Sequence, residues 1–95
     1  MLQREVVHLL ADIEGATGIW HRRQCHAGRP DWWQIGRPAL TTDLNSVIDG
    51  ARHGGASQIA VRDVHDRGFN LLVPDLRLGI NYIGGVQFHP NAGNM

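Results

Sequence analysis

Val6-Val7-His8-Leu9-Leu10-Ala11-Asp12-Ile13-Glu14-Gly15 is the stretch whose reading decides the fold. Its first half is a short, nearly continuous apolar run that ends in charged residues and a glycine. That is the pattern of a strand covered on both faces, so strand one is placed at residues 5 to 12. On this reading His8 lies inside a buried strand, where a histidine serves as a hydrogen-bonded core residue.

Outward from this strand the period changes. Leu40, Leu44, Val47, Ile48 and Ala51 recur at i, i+4, i+7, i+8 and i+11, one face of a helix, and Gly54-Gly55 supply its stop. The start of the helix has two readings. Asp31 with Gln34 resembles a capping box, which puts Pro38 inside the helix as a kink; alternatively Pro38 is itself the first helical residue. Residues 16 to 35 show no clean period and read as a loop longer than the ordinary connection of ~4 to 6 residues. Ile59-Ala60-Val61 gives a second buried strand, residues 78 to 83 a third after the turn signals at Pro74-Asp75, and Pro90 to Met95 a terminal loop. Strand, helix, strand in this order predicts a right-handed crossover between parallel strands whose carboxyl ends share one edge of the sheet. The fold class is therefore α/β, a parallel βαβ unit, and in open α/β sheets that edge is where ligands bind.

The 95 residues allow one small domain, residues 1 to 95, with a poor ratio of buried to exposed surface and a thin margin of stability. A net charge of zero leaves no nucleic-acid footprint. All nine basic residues are arginine, which excludes Schiff-base lysine chemistry and the phosphate-binding lysine of a P-loop. The single cysteine, Cys25, excludes an internal disulfide and a multi-cysteine zinc knot. Histidine and carboxylate remain as the ligand set for a metal. There is no signal-peptide cleavage pattern and no run approaching the ~18 apolar residues of a membrane span, so the expectation is a cytoplasmic protein without membrane or nucleic-acid partners.

The residues with chemistry sit at the predicted sheet edge. Asp12 and Glu14 leave strand one two residues apart, so in extended backbone both project to one side, ~6 to 7 Å apart. Asp63 and His65 repeat the arrangement at the exit of strand two, and in neighbouring strands ~4.8 Å apart four ligand-capable side chains converge. Two close carboxylates repel unless a proton or cation lies between them, and a nearby imidazole favours a metal. Oxygen and nitrogen donors without thiolate suit zinc, manganese or iron, zinc first. Asp12, Glu14 and His65 are the metal candidates. Asp63 is read either as a ligand or as an acceptor that orients His65. Against this stands the plain alternative that polar residues at strand ends cap helices or start turns.

Two motifs bring in a family. Ala11-Asp12-Ile13-Glu14-Gly15-Ala16-Thr17-Gly18-Ile19 resembles the opening motif of the D-aminopeptidase family, peptidase family M55. Val61-Arg62-Asp63-Val64-His65, followed by Asn70-Leu71, is similar to that family's second signature, Asn-Asp-Ser-His with an Asn-Leu pair; a polar neighbour has become the charged Arg62. The resemblance covers essentially the whole chain. It implies the amino-terminal part of an open three-layer α/β domain, in a ring-shaped homo-oligomer when complete. The implied activity is zinc-dependent hydrolysis of short peptides bearing an amino-terminal D-residue, at a site with two metal ions. Asp12 would bridge the two metals and Glu14 and His65 would complete the first metal's protein ligands. The second metal's ligands and the catalytic histidine are expected beyond Met95, so the chain on its own is expected to be inactive.

Two rivals stand beside this reading. Asp12-Ile13-Glu14-Gly15-Ala16-Thr17 approximates the motif of haloacid-dehalogenase phosphatases, with Asp12 as nucleophile, although Glu14 replaces an aspartate and His65 has no part in that scheme. Alternatively the chain is a non-catalytic α/β fragment or assembly module. Other candidates are weaker. His21 and Cys25-His26 lie in the irregular stretch without further partners, and Trp32-Trp33 suit anchoring of that stretch or an interface. His53 falls in the helix's last turn, where an imidazolium favours the dipole. Nothing in the sequence decides between a site and an exposed position for His89. Gly15-x-x-Gly18 lacks the spacing of a phosphate loop.

Overall fold

The computed structural model describes residues 5–85. Among the described residues three parallel strands, β1 (Glu5–Ala11), β2 (Ala56–Asp63) and β3 (Asn81–Ile83), form one sheet in the order β1-β2-β3. The helix α1 (Pro30–His53) is the crossover between β1 and β2, so the βαβ unit of the sequence reading is present. Val7 pairs with Ile59, Leu9 with Val61 and Ala11 with Asp63, which puts the two strand exits side by side.

One face of the sheet is covered. Ala11, Ile59 and Val61 pack with Leu40, Leu44 and Ile48 of α1 and with Ile13, Leu71 and Leu76 from the connections. The other face of β1 is open: Val6 is 55% and Leu10 70% exposed, and His8 is exposed between them. Expectation and structure differ here, because a continuous apolar run does not distinguish two covered faces from one, and α1 covers only one. His8 is accordingly a surface residue and not a core histidine.

The helix starts earlier than either sequence reading. Pro30 is its first residue, after an Arg29 cap without a side-chain bond, and Pro38 lies inside it. Proline suits a first turn because its missing N–H has no helical partner there. The irregular stretch is also more ordered than expected, holding a 3-10 turn at Arg22–Cys25 capped by His21 and Gln24. A Cβ at Gly36 would run into the Gln24 carbonyl, so a glycine here lets α1 lie against that turn. The third strand is three residues long and begins at Asn81, since Leu78 is 89% exposed and Gly79 turns the chain with φ 79. Pro90 to Met95 and His89 lie outside the described residues. Among the described residues no helix is long and apolar enough to cross a membrane.

Buried polar side chains of α1 hold the long β2 to β3 connection. Thr41 Oγ1 accepts from Leu72 N at 3.0 Å, and Asn45 both donates to the Asp75 carbonyl and accepts from Arg77 N at 2.8 Å. Trp33 Nε1 donates to Asn70 Oδ1 at 3.0 Å while the Arg37 guanidinium stacks 4.5 Å over the Trp33 ring and donates to the Asn70 carbonyl. These bonds fix the loop that follows β2, and with it one side of the candidate site.

Candidate metal centre

At the exit of β1 the chain alternates once more before turning. Ala11 and Ile13 are buried, so Asp12 and Glu14 between and after them face outward. The turn closes with Ala16 N donating to the Ile13 carbonyl at 3.2 Å, and Gly15 takes φ 87, a left-handed conformation that glycine adopts without steric cost. Asp12 Oδ1 accepts from Ile13 N at 2.8 Å, which fixes the carboxylate at the sheet edge.

The exit of β2 is built differently. Asp63 is fully buried and accepts from Asn70 N at 2.7 Å, Asn70 Nδ2 at 2.9 Å and Leu71 N at 2.9 Å. It thereby closes residues 64–70 into a loop. Asn70 Nδ2 also donates to the His65 carbonyl at 2.7 Å, so Asp63 reaches His65 through Asn70 and the backbone. Val64 N donates to the Ala11 carbonyl at 2.9 Å and ties the two exits together.

His65, 7% exposed, lies between them. Its Nε2 is 2.5 Å from the Cys25 carbonyl oxygen and 3.2 Å from Asp66 Oδ2. Its Nδ1 is 2.8 Å from Asp12 Oδ1 and 3.1 Å from Glu14 Oε1. A carbonyl oxygen only accepts, so Nε2 carries a hydrogen, and in the neutral ring Nδ1 then presents a lone pair to two carboxylate oxygens. Three electron-rich atoms so placed repel unless a proton or a metal cation joins them. The ligand atoms of Asp12, Glu14 and His65 lie within 4.8 Å of one another, and a bond from the second ring nitrogen to a carbonyl is what orients a metal-ligating histidine. The donor set and the fixed tautomer fit a divalent metal with oxygen and nitrogen ligands.

The electrostatics agree. Burial works against the imidazolium of His65, but the Cys25 carbonyl, the Asp12 carboxylate and the charges of Glu14 and Asp66 outweigh it and raise its pKa above 6.5. Burial pushes Asp12 upward too, and the Ile13 amide with His65 and Glu14 reverses this, leaving it below 3.8. The Cys25 thiol is pushed up by burial and by the charges of Glu14, Asp12 and Asp66, so it stays protonated and inert.

Of the four side chains expected to converge, the structure brings Asp12, Glu14 and His65 together, and turns Asp63 into the interior. Cys25 enters the site by its backbone carbonyl, for which sequence has no signal; Asn70 was visible only as half of the Asn-Leu pair. His21 caps the 3-10 turn and packs against Trp32 with ring centroids 4.6 Å apart, and His26 and His53 are exposed. The amide of Thr17, in the stretch likened to a phosphate loop, donates to Asp43 Oδ2 at 3.1 Å, a carboxylate of the same chain.

Comparison with known proteins points the same way. The family model described as D-aminopeptidase, Peptidase_M55, matches residues 6–93. A solved structure of the Zn-dependent D-aminopeptidase DppA from Bacillus subtilis, described as a self-compartmentalizing protease, is similar with a TM-score of 0.76 and 26% identity. The match covers 85% of this chain and 29% of that one, so the chain spans under a third of that enzyme's length. No curated protein matches the chain.

Proposed function

The chain belongs to the M55 D-aminopeptidase family, and on that premise we propose that it holds a divalent metal, zinc first, through Asp12, Glu14 and His65, as part of a metallo-aminopeptidase centre. The observation that carries this reading is the orientation of one ring: His65 Nε2 is committed to the Cys25 carbonyl, so Nδ1 faces Asp12 and Glu14 at 2.8 and 3.1 Å. Bound there, such a metal supplies Lewis acidity toward a peptide carbonyl and acidifies water. The chain's own contribution is to hold the ligands at two tied strand exits, so that little reorganisation accompanies binding. Asp12, at the outer rim, is the ligand we assign to bridge toward a second metal. The remaining ligands and the catalytic residue belong to chain outside these 95 residues, and the 95 residues alone are inactive. The substrates of the complete enzyme are short peptides with an amino-terminal D-residue. Its assembly is a cytoplasmic homo-oligomer, in keeping with the self-compartmentalizing relative.

The phosphatase scheme is set aside by family membership. It also leaves His65 idle, although Nδ1 stands 2.8 Å from the supposed nucleophile, Asp12. Calorimetric zinc titration of the chain and of Asp12→Ala tests the proposal. Wild type is expected to bind one zinc and the variant to bind about 100-fold more weakly. Equal, weak binding by both would remove the site and leave the non-catalytic module.

A further inference from the structure

Beside the metal centre lies a cavity of about 500 Å³ lined by Trp33, Phe69, Asp66, Arg67, Asn70 and Gly28, among others. The His65 ring separates the two, since Asp66 approaches Nε2 at 3.2 Å and Asp12 approaches Nδ1 at 2.8 Å. We propose that this cavity receives the first residue of a short zwitterionic peptide. A bulky apolar side chain would lie against Trp33 and Phe69, the ammonium on Asp66, and the carboxylate toward Arg67. The peptide nature of the ligand rests on the proposed function; the ligand's chemistry is read from the walls.

Both aromatic walls are held from behind. Trp33 is pinned by its bond to Asn70 Oδ1 and by the stacked Arg37 guanidinium. Phe69 leans on backbone, because a Cβ at Gly85 would run into its ring, yet the residue is 58% exposed. Rigid aromatic surface, exposed at Phe69 and half-buried at Trp33, suits a ligand's apolar group, since little side-chain freedom is lost on binding. The volume falls within the ~300 to 1,000 Å³ usual for small-ligand sites. Asp66 is the only non-glycine residue with positive φ among the described residues, at 50°, and this turn keeps its half-exposed carboxylate at the junction of cavity and His65. Aspartate tolerates that conformation better than most residues, and local strain of this kind clusters at ligand sites. Asp66 and Arg67 give the rim one charge of each sign, and a short peptide carries the same two.

The test is an NMR titration of the metal-free 95-residue chain with D-Phe-Gly, its N-acetyl derivative and its carboxamide. Shifts are expected at the Trp33 indole and at residues 66–70. Acetylation of the amine should weaken binding about five-fold, the range open to a half-exposed charge pair. Asp66→Asn should make the free and acetylated peptides equal, and Phe69→Ala should weaken all three. Equal binding of free and acetylated peptide by the unaltered chain, which needs no variant to fold, would overturn the proposal, as would shifts elsewhere only. A zinc titration separates the two readings. Normal zinc binding without peptide shifts overturns the role of the cavity alone, and amine preference without zinc binding upholds the cavity and overturns the metal centre.

Discussion

The exits of β1 and β2 carry the same spacing, an aspartate and a second polar residue two positions on, and use it in opposite ways. At β1 both side chains face outward, with Asp12 60% and Glu14 57% exposed. At β2 Asp63 is fully buried and gathers three donors, while His65, 7% exposed, emerges from the loop that Asp63 closes. One exit presents two of the candidate ligands and the other builds the frame that aims the third. Spacing alone is silent on this, because it fixes the face of a side chain only while the backbone remains extended. What separates the exits is the register: Asp63 lies opposite Ala11, on the covered face, and Asp12 is one residue further on.

The sharpest way to break the comparison is to make the frame fail. Asp63→Ala strands the amides of Asn70 and Leu71 in the interior, a loss of about 3 kcal/mol or more in a domain with roughly 5 to 10 to lose. Urea denaturation should find its midpoint lowered by roughly a third or more; a variant as stable as wild type would make Asp63 merely another edge residue. His65→Ala should do the reverse, lowering zinc affinity by about 100-fold or more for about 1 to 2 kcal/mol of stability, read from calorimetry and the urea midpoint. Collapse of this variant would place His65 with the frame. The smallest effect is on pH. The folded metal-free chain binds the His65 proton more tightly than the unfolded chain does. The stability this contributes is therefore complete below the unfolded value near 6.5 and is lost as pH rises through the raised folded value. A shallow fall of the urea midpoint over that range should be seen in wild type and be absent from His65→Ala.

Much of this is legible in the amino-acid sequence. The apolar run before Asp12 gave β1, and the i, i+4 and i+8 positions Leu40, Leu44 and Ile48 are the buried face of α1. That Asp12, Glu14 and His65 converge was readable because strand, helix, strand leaves few arrangements of two exits. The beginning of α1 was not, because Arg29 makes no side-chain cap and the first turn is secured by Trp33 bonding Asn70, 37 residues away. Nor was the open face of β1, since Val6 and Leu10 look the same in sequence whether or not something covers them. The Cys25 carbonyl that fixes the tautomer of His65 is a backbone atom, which every residue has.

The open face also governs how the chain is handled. Val6 and Leu10 lie on β1, an edge of the described sheet, and an apolar edge strand in water invites pairing with another copy. Two exposed apolar side chains on this strand therefore favour self-association, and Leu10 stands only two residues before Asp12 on the same face. A lysine at Val6, which is 55% exposed and lies six residues before Asp12, is the change that extends the working concentration for titration and NMR while keeping its charge at the far end of the strand.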